Sequence, residues 1–307
     1  MSKKALDICQ LFNRDSVAEY IANTWHNYNT QRFPAIQRWK EIRNYVFATD
    51  TTTTTNKTLP WKNSTTIPKL CQIRDNLHSN YVSALFPNDQ CLTWEAYSLN
   101  SAIQQKAKAI ESYMGNKTRE SNFRSEISKL LYDFIDYGNA FATVDFEASY
   151  RTVNDKSIPV YVGPRARRIS PLDIVFNPLA NSFKDSFKII RTLRNVSELA
   201  IMAEDEPDNA YLQKIIVQRA KLKQHANAYG IEDNDKQEGL LVDGFGSYSE
   251  YLKSDYVEFL EFYGDIYSSE SGELLKGMHI VVVDRMWVIK NDEMQTWMGG
   301  PPVYHVG

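Results

Sequence analysis

Gly138 is the residue that most constrains this chain, because the spacing of apolar side chains changes there. Before it, apolar residues recur at helical intervals: Val17, Tyr20, Ile21, Trp25 and Tyr28, then Ile36, Trp39, Ile42 and Val46. Three further stripes follow: Leu70 to Leu85, Ile103 to Met114, and Phe123 to Phe134. Breakers delimit them. Ser16-Val17-Ala18-Glu19 and Ser101-Ala102-Ile103-Gln104 fit capping boxes, in which each side chain satisfies an orphan backbone N–H. Pro34 and Pro68 open helices at a turn where a missing N–H costs nothing, and Pro87 stops one. Gly138 suits the left-handed residue that ends a helix. After it the period drops to two, in short β-like runs: Ala140–Phe146, Pro159–Val162, Arg167–Ile169 and Ile174–Phe176. A run of helices followed by a run of strands predicts an α+β fold.

Helical spacing returns from Ser197 to Met202, breaks at Pro207, and resumes through Tyr211, Ile215 and Leu222 to Gly230. Residues 231–255 are acidic and read as a connector. Tyr256–Tyr263 and Met278–Ile289 read as strands joined by a turn around Ser271-Gly272. Thr51 to Thr55 is a low-complexity run in an expected loop, Thr49–Leu59. Three segments result: a helical and β body over 1–196, a helical segment over 197–230, and an acidic β-rich segment over 231–307. The last residues, WMGGPPVYHVG, lack a polar closing segment, so the chain is expected to be the front part of a longer one.

Charge excludes some functions and leaves others open. The net charge of the 307 residues is −3. Residues 231–307 hold 15 acids against 5 bases, however, while residues 1–230 hold 30 bases against 23 acids. Whole-chain attraction to nucleic acid is excluded, but a regional one is not. Apolar runs such as Ile280 to Val283 are far too short to span a bilayer, so no membrane partner is expected. The opening residues lack the apolar stretch of a signal peptide. Cys9, Cys71 and Cys91 form neither a disulfide framework nor a zinc pattern.

Catalytic signatures are missing from the sequence. No histidine lies three or four residues from another histidine or a cysteine, and neither a GxxxxGK[ST] loop nor a GxSxG elbow occurs. His78, beside Arg74 and Asp75, reads as a helix-packing residue. Glu204, Asp205, Glu206 and Asp208 read as a solvated helix start. No catalytic residue, cofactor or metal is expected. The basic residues are the remaining candidates. Arg165, Arg167 and Arg168, in GPRARRIS, and Lys214, Arg219, Lys221 and Lys223 are able to contact DNA phosphates or a neighbouring subunit by charge alone. The plainer reading is a solvated face or ion pairing.

The most distinctive stretch runs from Trp61-Lys62-Asn63-Ser64-Thr65-Thr66-Ile67-Pro68-Lys69 through Ile73-Arg74-Asp75-Asn76-Leu77 to Ala84-Leu85-Phe86-Pro87. It resembles the N-terminal region of portal proteins, the head-to-tail connectors of short-tailed bacteriophages, including the crAss-like group. The helix Arg38 to Val46 fits the one that opens such chains. Arg168-Ile169-Ser170-Pro171-Leu172-Asp173-Ile174-Val175-Phe176-Asn177-Pro178 looks like that family's segment of two strands around Ser-Pro and Asp. The resemblance spans roughly residues 36–200, on Trp61, Lys62, Pro68, Lys69, Asp75, Pro87, Pro171, Asp173 and Pro178.

The resemblance implies a homo-oligomeric ring, a dodecamer in this family, at the unique capsid vertex of a virion assembled in the host cytoplasm. Such a ring docks the terminase and the tail or adaptor proteins, contacts the major capsid protein, and passes double-stranded DNA non-specifically through its channel. It is not an enzyme; ATP hydrolysis belongs to the terminase. On this reading the body is wing-like, the 197–230 segment stem-like and the acidic segment clip-like, with Glu258, Glu261 and Asp265 as candidate channel-facing charges. Two alternatives stand beside it. One is another structural virion component, such as an adaptor or tail ring protein. The other is a nucleic-acid-processing enzyme whose site lies beyond residue 307.

Overall fold

The computed structural model describes residues 16–47, 68–87, 92–153, 156–205, 212–217, 219, 255–267, 274–294 and 301–307. Helices are combined with two antiparallel sheets, so the chain is α+β. It divides into two compact units. Unit 1 takes residues up to Arg32 and Asp173–Pro301; unit 2 takes Phe33–Leu172 and Pro302–Gly307. These boundaries do not fall at 196 or 230. The reason is the antiparallel pairing of residues 188–195 with 256–263, which places the expected body and the acidic segment in one sheet.

Unit 1 is a sheet buried on both faces. Its elements are α1 (Ser16–Gln31), β3 (Ile174–Phe176), β4 (Lys188–Asn195), α6 (Val196–Asp205), β5 (Tyr256–Tyr267), β6 (Leu274–Val283) and β7 (Trp287–Glu293), with strand order β3-β4-β5-β6-β7. Alternate residues of β5 and β6 enter different cores. Leu260, Phe262, Ile280 and Val282 meet Ala18, Ile21 and Trp25 of α1. Val257, Phe259, Val281 and Val283 meet Leu199 and Ala203 of α6 and Leu212 and Ile215 of the 212–217 helix. Two covered faces explain why β6 ends as an unbroken apolar run. Each large buried side chain contributes about 1.5–3 kcal/mol.

The expected single strand Met278–Ile289 is two strands, because the chain reverses at Asp284-Arg285. Both residues adopt positive φ, 50° and 59°, in a tight turn that usually takes Asn and Gly. Buried charges hold it in place. Arg285 is doubly bonded to Glu258, at 2.8 and 3.0 Å, and Arg219 reaches Asp284 at 3.3 Å. The Asp284 N–H also donates to the Glu258 carbonyl at 2.9 Å. Glu258 is thus an internal ion-pair partner and not a channel-facing charge. Glu261 pairs with Arg194 at 3.4 Å, and Asp265 accepts from the Gly277 N–H at 2.7 Å. At Gly264, φ is 154°, and a Cβ there would lie 2.7 Å from that of Phe187.

At the other end of the sheet, Arg191 closes on Asp173, with nitrogens 2.6 and 3.1 Å from Oδ1 and its N–H 2.8 Å from the Asp173 carbonyl. Trp25 lies 5.7 Å from that guanidinium and 5.9 Å from the Arg32 guanidinium. Burial lowers the Arg32 pKa to about 10, against the opposing charge of Asp173. Lys188 is wholly buried, donates to the Ser186 carbonyl at 2.8 Å, and is pushed down to about 8 by desolvation.

Unit 2 comprises α2 (Phe33–Phe47), α3 (Lys69–Leu85), α4 (Ser101–Glu120), α5 (Phe123–Tyr137), β1 (Ala140–Val153), β2 (Lys156–Ile169) and β8 (Val303–Val306), with strand order β2-β1-β8. The N-cap of α4 is Asn100, not Ser101: its Oδ1 accepts from the Ala102 N–H at 3.0 Å. Gly138 ends α5 at φ 70°, as its position implied. The short β runs expected here merge into two 14-residue strands. Pro159 and Pro164 are tolerated because β2 is an edge strand, where a missing N–H breaks no ladder. Val303–Val306 is a strand on the other side of β1, so these four residues of the final stretch are paired backbone. The expected loop Thr49–Leu59 and the turn around Ser271-Gly272 lie outside the described residues.

The turn pairing is directly testable. Glu258→Gln leaves Arg285 buried beside a neutral group and is expected to cost about 3–5 kcal/mol in denaturant unfolding. Combining Glu258→Leu with Arg285→Met should cost less than the sum of the two single changes.

Candidate functional site

The arginines singled out in the sequence sit mainly on the β1–β2 hairpin, and the fold gives them carboxylate partners. Antiparallel register puts Asp145 opposite Arg165 and Glu147 opposite Gly163, so residues 145, 147, 165 and 167 share one face. Arg165 donates from Nη1 to both Glu147 oxygens, at 2.9 and 3.0 Å, and Arg167 adds a bond of 2.5 Å. Those two guanidinium groups hold the Glu147 carboxyl below its usual range. Arg168 grips Asp133 on α5 through two nitrogens, the longer bond being 2.7 Å. Burial raises the Asp133 pKa against that attraction. The backbone N–H of Arg168 also donates to Glu126 at 3.0 Å. The cluster is therefore largely neutralised within unit 2.

The second basic group divides differently. Arg219 is buried in unit 1, donating to the Tyr256 carbonyl at 2.8 Å and pairing with Asp284, so it is not a surface phosphate contact. Lys214 is exposed on the 212–217 helix. Lys221 and Lys223 lie outside the described residues, as do Trp61 and Lys62.

The remaining family-like positions have local roles. Pro68 precedes α3, its carbonyl accepting the Gln72 N–H at 3.3 Å, and Lys69 is the first residue of that helix. Asp75 is exposed and only 3.9 Å from Arg74, whose nearer partner is Asp136 at 2.8 Å. Pro87 follows the α3 cap, Phe86. Pro171 is buried in unit 2 and Asp173 clamps Arg191 in unit 1. Pro178 is exposed beside a turn in which Asn177 accepts from the Leu179 N–H at 3.0 Å.

Unit 2 also holds a cavity of about 840 Å³ between α3, the 92–94 segment, the end of α4 and the start of α5. His78 stands in its wall, stacked on Tyr132 at 3.8 Å between ring centres. Its Nε2 lies 2.9 Å from Ser128 Oγ and 3.1 Å from the Ser128 carbonyl. A carbonyl only accepts, so the tautomer this geometry favours carries its proton on Nε2. That tautomer does not deprotonate Ser128, and the pair is not arranged as an activated nucleophile. The neighbouring Arg74 guanidinium lies 4.4 Å from the Tyr132 ring centre. Nothing in the sequence marks this cavity, because its lining comes from four separate elements.

Among the described residues, no group of three or more His, Cys, Asp and Glu side chains is placed to hold a metal, and no helix is long and apolar enough to cross a membrane.

Neutralisation of the hairpin arginines has a measurable consequence. Glu147→Gln should increase non-specific binding to duplex DNA and steepen its logarithmic salt dependence by about 0.9 for each arginine released. Unchanged binding in a salt titration would show that Glu147 does not mask them. Comparison with protein-family models and with curated proteins finds no match for this chain.

Proposed function

We propose that this chain is a subunit of a bacteriophage portal ring, a non-catalytic channel at the capsid vertex for genome packaging and ejection. The observation that carries the reading is an asymmetry of burial. Most of the buried apolar side chains belong to unit 1, whereas most of the large apolar side chains left exposed belong to unit 2. α3 and α4 bury no residue completely. Along α3, Leu70, Ile73, Leu77, Tyr81 and Leu85 are between 42% and 55% exposed on one face. This is the helix that follows the portal-like segment. The β1–β2 hairpin leaves Val144, Phe146 and Tyr150 exposed on a single face.

A lone chain gains nothing from such surface, while a chain packed between copies buries it. A closed ring also needs two different complementary patches on each subunit, and α3 and the hairpin supply two. In this reading terminase, tail or adaptor proteins and the capsid protein dock on the ring, and DNA passes through without sequence-specific contact. The pairing of the hairpin arginines with Glu147 and Asp133 suits such passage, since a neutralised surface does not hold phosphate.

Native mass spectrometry and negative-stain imaging test the proposal. A ring of many copies with an open centre is expected. Ile73→Asp combined with Leu77→Asp should shift it to monomers while the circular dichroism spectrum stays unchanged. A monomeric wild type, or a double variant that assembles normally, contradicts the proposal.

A further inference from the structure

The cavity of unit 2 has a chemistry that ring assembly does not require. One end is cationic. Arg119, in the last turn of α4, and Arg124, in the first turn of α5, both line it on either side of the helix break at Asn122. The Arg119 backbone carbonyl accepts from the Asn122 N–H at 3.2 Å, while its guanidinium is in no hydrogen bond or ion pair among the described residues. Arg124 is positioned against the wall, with its guanidinium 5.7 Å from the Phe86 ring centre. Ser125 adds a hydroxyl donor from the same turn of α5 and Ser128 one from the next. Asn122 adopts a left-handed conformation, φ 55°, and makes no side-chain cap, so its side chain leaves the first turn of α5 uncapped.

The other end differs. Glu111 lines the cavity from α4, two turns and about 12 Å before Arg119 at a rise of 1.5 Å per residue. Trp94 lies in the same lining. A ligand matching both ends carries an anionic group at Arg119 and Arg124 and a hydroxyl or amino donor toward Glu111, with a flat body against the indole. The volume is that of a small-molecule site. Guanidinium pairs and hydroxyls are the donor set for a phosphate group.

We propose that this cavity binds a phosphate ester of a nucleoside, with the phosphate held by Arg119, Arg124 and Ser125 and the nucleoside donors facing Glu111. The phosphate comes either from a free mononucleotide or from the 5′ end of a DNA strand. The site is independent of the ring reading, since every residue in it belongs to unit 2 of a single chain.

Isothermal titration of the full chain tests it with inorganic phosphate, a deoxynucleoside monophosphate, the same nucleoside without phosphate, and short single strands with and without a 5′ phosphate. Saturable binding of the monophosphate is expected, with weaker binding of phosphate alone and no binding of the unphosphorylated nucleoside. Preference for the 5′-phosphorylated strand over the monophosphate identifies a DNA end as the source; the reverse identifies a free nucleotide. Arg119→Gln with Arg124→Gln should weaken the monophosphate at least about a hundredfold, the loss of two charge-assisted bonds at about tenfold each. Arg119→Gln alone, at an exposed position, should weaken it in the same direction if the double variant misfolds. Glu111→Gln should weaken the monophosphate and leave inorganic phosphate unchanged. Equal binding of the unphosphorylated nucleoside, no saturable binding, or full retention in Arg119→Gln overturns the proposal.

Discussion

The ion pair between Glu258 and Arg285 sits at the point on which unit 1 depends. It fixes Arg285 beside Asp284 in a left-handed turn whose second position an arginine seldom adopts, and that turn brings β7 back against β6. Two buried charges are expensive to desolvate, and only close, doubly bonded geometry compensates. The same logic recurs at Arg191 with Asp173, at Arg219 with Asp284 and at Arg168 with Asp133. Many of the charges that look available in the sequence are matched inside a unit. The basic body and acidic end differ in composition, but the hairpin arginines and Glu258 and Glu261 are already partnered. What the surface of unit 2 offers in quantity is apolar area.

Local signals in the sequence were readable where one element carries them. The spacing of Val17, Ile21, Trp25 and Tyr28 marks the core-facing side of α1, although Tyr20 of the same expected stripe is exposed, and Gly138 marks the end of α5, because helix periodicity and left-handed caps are properties of a few adjacent residues. Non-local features were not readable. Pro159, Gly163 and Pro164 break a strand on composition alone, yet β2 continues through them because it lies at an edge. Asp284-Arg285 carries only half a turn signal, an Asp without the following Gly, and its conformation is held by Glu258 and Arg219 from distant segments. β8 pairs with a strand more than a hundred residues earlier. The arginine cluster was visible by type, but Glu147 and Asp133 became its partners only through register and helix packing. The cavity, assembled from four elements, left no trace in any one of them.

These contrasts bear on how the chain would associate. Exposed apolar stripes on α3 and on the hairpin are joined in water by the hydrophobic effect, which salt strengthens or leaves alone. Association through opposite charge patches would be screened, since the Debye length falls to about 3 Å at 1 M ionic strength. The proposed ring rests on the first kind of contact, whereas the nucleoside phosphate site rests on charge, at Arg119 and Arg124.

The most direct test is sedimentation velocity of the full chain at low ionic strength and at about 1 M NaCl. The account predicts a large species that persists at high salt. A species that dissociates to monomers as salt rises, or a monomer under both conditions, would contradict it.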